Sequence, residues 1–348
     1  MPRFGGCQPG FEAVLQRRPY EVNMKIKTQD VTHTTPPVAF IHIPRTGGVS
    51  LVHALSDAWP GQVADLYGAS DADPGPVLQY LKRPAAKSIL MFDGHYSFGI
   101  HEWFPAPTYL YVSLVRDPVA RIVSLYRKMG VFRIRLRTAL RLETRIKAPG
   151  PAKDALLRLF LPGCFPDIYQ DFADWILGRD TLDAFLDCPS PELDNGMVRR
   201  FSGIGLQPQR CSSDALEKAK ENIESQFAAV GVLEHFAETL ELFRIVLGLN
   251  SLSFHHDNGS WPPRAIARPI VAHVIDRIQD MNQLDTALFN WATGRFLKQI
   301  QNPTAHGIAV ATASRKPAGR IPLWRSVGSL GVSKIVVGSC ATPTQHLG

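Results

Sequence analysis

The stretch FIHIPRTGGVSLVHAL (Phe40–Leu55) passes from a strand-like apolar run, through a turn with two adjacent glycines, into a helical pattern. Upstream, VAFIHI (38–43) is short, apolar and rich in β-branched residues, the composition of a strand buried on both faces. Downstream, GGVSLVHALSDAW (47–59) puts either Val49, Val52 and Leu55 or Leu51, Leu55 and Trp59 at helical spacing. The first N–H groups of a helix lack partners and carry partial positive charge, so anions settle there. Gly47 and Gly48 bring no side chain between those amides and a phosphate. Arg45 adds a full charge, and Thr46 and Ser50 offer hydroxyls. The competing reading is a tight strand-to-helix turn with no ligand. The GxxxxGK[ST] spacing of a nucleoside-triphosphate loop is absent, and no metal-binding carboxylate follows a later strand, which disfavours ATP or GTP hydrolysis.

The rest of the chain sets bounds on that loop. Its 348 residues can bury a full core, with 45% apolar and 20% charged residues. The formal charge of +7, from 38 basic and 31 acidic residues, suits an anionic ligand or substrate. No basic tail is present, so dedicated nucleic-acid binding is not expected. The five cysteines are scattered without CxxC spacing, so neither zinc nor a disulfide framework is implied; Cys164 and Cys188 are the least implausible pair for one bridge. No apolar run reaches the ~20 residues that span a bilayer. The first 21 residues lack the apolar core of a signal peptide. A cytoplasmic protein is the simplest expectation.

KSILMFDGH (87–95), YLYVSLV (109–115) and AVGVLE (229–234) read as three further strands, while 60–87 read as a loop and a short helix. Helical patterns cover RDPVARIVSLYRKM (116–129), with Pro118 suited to a first turn, then 171–178, 194–202, 214–227, 235–247 and 268–300. Strands alternating with helices predict an α/β fold whose central, mostly parallel sheet is flanked by helices. The expected organisation is a poorly structured leader over 1–35, one domain over 36–300, and a disordered tail over 301–348, where turn formers replace any period.

A second motif, YVSLVRDPVARIVSLYR (111–127), puts Arg116 at a strand end and Ser124 two turns into the following helix. Both could reach one phosphate at the carboxyl edge of the sheet, where open α/β folds bind ligands. Otherwise Arg116 pairs with Asp117 or solvent and Ser124 is an ordinary helix residue. Together, IPRTGGVSL and LVRDPVARIVSLYR resemble the sulfotransferases that use 3′-phosphoadenosine 5′-phosphosulfate (PAPS). Within these, they resemble the carbohydrate-type branch that includes heparan sulfate and uronyl 2-O-sulfotransferases and many bacterial proteins. The resemblance covers about residues 36–250, more weakly through DNGMVRRFSGI (194–204) and AKENIESQFAAVGVLEHFAETLELF (219–243). It implies a P-loop-like sulfotransferase fold, PAPS as sulfuryl donor with the bisphosphate PAP as product, and no metal. It places Arg45, Thr46, Gly47, Gly48, Val49 and Ser50 on the 5′-phosphosulfate, and Arg116 and Ser124 on the 3′-phosphate. The family usually has lysine at the position of Arg45, where it is thought to stabilise the departing phosphate oxygen. Arginine keeps the charge but presents a planar fork instead of a point charge.

In-line transfer to an alcohol calls for a base, and histidine suits neutral pH. MFDGHYSFGIHEWF (91–104) offers His95 and His101. His95 follows the second strand and matches the GH position of the catalytic histidine in the 2-O-sulfotransferases, so it is the expected base; a structural or acceptor-binding histidine is the alternative. Asp93 would orient that imidazole or serve as a cap. His101 reads as a loop residue and His42 as a packed core histidine. Arg199 and Arg200 read as one site-facing residue and one solvated one, or as a wholly solvated face. The basic run YRKMGVFRIRLRTALRLETRIK (126–147) could grip an anionic glycan, lie on an anionic membrane through 127–147, or simply be solvated.

The expected acceptor is a hydroxyl on a carbohydrate or glycolipid. Two rivals are a non-catalytic relative that binds nucleotide or glycan, and a nucleotide-dependent kinase.

Overall fold

The computed structural model describes residues 37–66, 89–103, 109–140, 172, 175, 181–205, 210–253 and 270–302. The leader over 1–35, most of the tail and basic residues 141–147 lie outside them, as does Cys164. The Cys188 thiol meets the Ala184 carbonyl at 3.8 Å.

Five strands form one sheet: β1 (Val38–Ile41), β2 (Val63–Asp65), β3 (Met91–Gly94), β4 (Leu110–Val115) and β5 (Phe227–Val232). Their order is β2-β3-β1-β4-β5, and every pairing is parallel. This is the mostly parallel α/β sheet expected from the sequence. Every residue of β1, β3, β4 and β5 is buried, as required where helices cover both faces. β2 is the strand absent from the sequence reading, as the short helix Leu182–Leu186 is among the helices. At three residues, this edge strand is too short to display a period.

Helix α1 (Gly48–Ala58) buries Leu51, Ala54 and Leu55 against the sheet and leaves Val49 half exposed. The second of the two spacings offered by the sequence therefore faces the core. Helix α2 (Pro118–Leu140) has proline in its first turn, and the Asp117 carboxylate accepts the Ala120 N–H at 2.8 Å, capping it. Its inner side joins Phe172, Trp175 and helix α3 (Leu182–Leu186) in a second apolar cluster, together with Val274 and Ile278. Arg133 belongs to that cluster, not to a solvated or ligand-gripping face. It is buried, donates to the Trp175 carbonyl at 2.7 Å and stacks 5.2 Å from the indole.

Helices α4 (Gly196–Ser202), α5 (Ser213–Gln226) and α6 (Phe236–Val246) follow the expected positions. The pattern over 268–300 divides into α7 (Ala272–Met281) and α8 (Gln283–Gln299). Asn282 makes the break: its buried side chain donates to the Leu193 and Ile278 carbonyls, both at 3.0 Å, and accepts the Asn195 N–H at 3.2 Å.

An ionic network crosses this helical layer. Arg121 of α2 donates to one carboxylate oxygen of Glu192 at 3.1 Å and lies 3.5 Å from Asp285 of α8. Arg200 of α4 pairs with the other Glu192 oxygen. Asp285 accepts the Met197 and Val198 N–H groups at 3.1 and 2.8 Å, capping α4. All four charged side chains are fully buried. Two guanidinium groups hold the Glu192 carboxyl below the usual carboxylate range despite burial. Asp285 has one, and burial raises its pKa. Removing one member of such a group leaves its partner charged and dry, so Asp285→Ala should cost about 3 kcal/mol or more. Urea unfolding monitored by circular dichroism measures this.

Candidate active site

The carboxyl ends of β1, β3 and β4 deliver the three parts of the site. β1 runs into the loop 42–47, β3 into His95, and β4 into Arg116. In the loop, Thr46 is wholly buried and its hydroxyl donates to the Ile43 carbonyl at 2.8 Å. Thr46 thus closes the turn with the hydroxyl proton that the sequence reading reserved for a ligand. Arg45 has φ +72°, a left-handed conformation that costs a non-glycine residue about 1–2 kcal/mol. Such strain concentrates at binding sites.

The two glycines have packing reasons of their own. Gly47 has φ +92°, and a β-carbon there would come within 2.5 Å of Leu233. At Gly48 it would come within 2.3 Å of the His42 ring. Ser50 is buried in the first turn of α1, and the Val49 side chain is half exposed.

Arg45 Nε donates to Ser124 Oγ at 3.0 Å, and Arg116 donates to the Arg45 carbonyl at 3.1 Å. The two motifs, separated by 71 residues, thus meet in one place. The Asp117 side chain caps α2 instead of serving Arg116 alone. Burial, followed by the charge of Arg116, lowers the pKa of Arg45. Burial also lowers that of Arg116, partly offset by Glu234 and Asp117. A dianion between two desolvated guanidinium groups would restore the lost solvation and relieve their repulsion.

His95 lies beside this cluster. Its Nδ1 contacts the His42 carbonyl at 2.5 Å. A carbonyl only accepts, so Nδ1 carries the proton and Nε2 is the basic nitrogen. Burial first, then His42 and Arg200, push the pKa well below that of an ordinary histidine, against the opposing hydrogen bond.

Asp93 does not orient His95. Its carboxylate lies 3.2 Å from Nδ1 of His42, and both side chains are buried. His42 is the core histidine the sequence suggested, stacked on Phe40 with its ring 4.8 Å from that of His95. It serves the site as well, through a backbone carbonyl that no sequence motif exposes. His101 is buried against Tyr109, with Nδ1 2.9 Å from the Tyr111 hydroxyl, as part of the aromatic core.

Neither Arg199 nor Arg200 is solvated. Arg199 pairs with Asp194 at 2.5 Å, and Arg200 pairs with Glu192 and donates to the His95 carbonyl. Glu192, Arg121 and Asp285 were missed by the sequence reading; nothing in their local spacing marks them as buried.

Residues 99–292 match the profile described as Sulfotransferase family. The chain belongs to that family. The matched stretch contains Arg116, Ser124, Glu192 and Arg200, whereas the 42–47 loop and His95 precede it. The chain is also similar to heparan-sulfate 6-O-sulfotransferase 1-B of Danio rerio, 26% identical over 81% of this chain and 69% of that protein. It is 25% identical to heparan-sulfate 6-O-sulfotransferase 1 of Homo sapiens over 76% and 66%, respectively. With heparan-sulfate 6-O-sulfotransferase 2 of Gallus gallus it shares 24% over 80% and 70%. These relatives carry 6-O in their names, where the motif resemblance pointed to 2-O enzymes; both are carbohydrate-type sulfotransferases. The chain spans about two thirds of the relatives' length.

Histidine ¹⁵N NMR tests the geometry around His95. The expected spectrum shows the Nδ1–H tautomer, with protonation setting in only well below pH 6.5. A midpoint at or above 6.5, or the Nε2–H tautomer, contradicts the arrangement.

Proposed function

We propose that this sulfotransferase moves a sulfuryl group from PAPS to a hydroxyl of a carbohydrate acceptor. The observation that carries the proposal is the junction of Arg45, Ser124 and Arg116, which gathers two cations and a hydroxyl at the head of α1. The names of the relatives support a glycan acceptor; a glycolipid would present the same hydroxyl chemistry.

PAPS supplies an activated sulfur with a phosphate leaving group. The strained loop and Arg45 would hold the 5′ end, with Arg116 and Ser124 holding the 3′-phosphate. Ser124 already engages Arg45, so either phosphate can recruit it. His95 Nε2 accepts the acceptor's hydroxyl proton as the oxygen forms its bond to sulfur. The bond from sulfur to the phosphate oxygen breaks at the same time, and Arg45 meets the charge left on that oxygen. Because the His95 imidazole resists protonation, the base form persists below pH 6.5, and activity should fall only when pH drops further.

A second reading, donor binding without turnover, follows from arginine at position 45 where the family usually has lysine. PAP should raise the unfolding temperature, by roughly 2.7 kcal/mol of stabilisation at a hundredfold excess over Kd. Arg116→Ala with Ser124→Ala should abolish that shift. His95→Ala should keep it while losing at least about a hundredfold in turnover. Stabilisation by ATP with Mg²⁺ and none by PAP would instead indicate a kinase. PAP binding with no turnover in any acceptor screen would establish the second reading.

A further inference from the structure

The turn that carries His95 is held from behind by one residue. Arg200 is fully buried and uses its guanidinium in two directions: Nε and Nη2 face Glu192, and Nη1 donates to the His95 carbonyl. Its backbone acts on the same turn, because the Arg200 carbonyl accepts the Phe98 N–H at 2.8 Å. Residues 95 and 98 are therefore fastened to a single position of α4. Glu192 fixes the fork of Arg200 and is itself fixed by Arg121, which donates to both its carboxylate and its carbonyl. On the opposite side the imidazole is fastened through Nδ1 to the His42 carbonyl. The base thus has one anchor on its ring and another on its backbone.

We infer that Arg200, backed by Glu192, is a positioning residue that sets the aim of His95; this rests on the reading of His95 as the base. Arg200 does not touch the reacting atoms. It acts through the 95–98 turn, and its fork geometry matters as much as its charge. Lysine has one point of donation and cannot serve Glu192 and the His95 carbonyl in the same way. A displacement of about 1 Å at a reacting group can cost about a hundredfold in rate, so a loosened turn is enough to matter. Among the described residues, the charged and titratable groups acting on the imidazole include His42, which follows β1 and is paired with Asp93 of β3, and Arg200 from α4.

Two variants separate geometry from charge. Arg200→Lys keeps the charge and loses the fork. The pair Arg200→Met with Glu192→Gln removes both buried charges together, avoiding an orphaned carboxylate. Turnover is followed with PAPS and chemically desulfated heparin as the probe acceptor, alongside PAP-induced thermal shifts and histidine ¹⁵N titration. Arg200→Lys should lower kcat by about tenfold or more, keep the KM for PAPS within about twofold, and retain the PAP shift. In the double variant the His95 midpoint should rise towards 6.5, because a repelling cation is gone, and the acid limb of activity should rise with it. This titration needs no turnover.

Two results overturn the inference: Arg200→Lys turning over like the parent, or PAP stabilisation lost together with kcat. If the parent protein neither binds PAP nor turns over, the sulfotransferase reading itself fails. If it does both and Arg200→Lys matches it, only the present inference falls.

Discussion

A carboxylate with no access to water, held between two guanidinium groups, organises this molecule. Glu192 sits in the turn before α4, while Arg121 comes from the helix that follows β4 and Arg200 from α4 itself. Asp285 brings in α8 and caps α4. Three stretches distant in sequence, namely α2, the segment 192–200 and α8, are thereby fixed at one point. Burying charge is expensive, and such a cluster persists only when every partner is present. It is weak as a source of stability compared with an apolar core, but it determines which helix turn stands behind which strand. The site inherits its geometry from that arrangement.

The architecture was legible where local rules and the global fold agree. Buried runs such as VAFI and LYVSLV read as strands because both faces are covered. Pro118 marked a helix start, and the alternation of strands and helices implied a parallel sheet. The edge strand Val63–Asp65 escaped because three residues carry no period. The break at Asn282 escaped because its cause is a set of hydrogen bonds to residues almost ninety positions away.

The loop 42–47 and its partner segment were legible as two motifs that should meet, and the structure brings Arg45 against Ser124 and Arg116. The support behind His95 was not legible. The contact that fixes its tautomer is made by a backbone carbonyl, and every residue has one. Arg199 and Arg200 showed the limit most clearly, since consecutive arginines on a helix suggest an exposed face. Their burial depends on Asp194, which stays partly exposed, and on Glu192, whose own burial only the fold reveals.

His42 has its ring against the loop on one side and Asp93 on the other, while its carbonyl engages His95. The volume that a side chain at position 48 would need is already filled by that imidazole. The side chains allowed at positions 42 and 48 therefore limit one another. A drift to alanine at 48 demands a smaller residue at 42, and that change strands the buried Asp93 carboxylate. A side chain at 48 thus calls for matching changes at both 42 and 93.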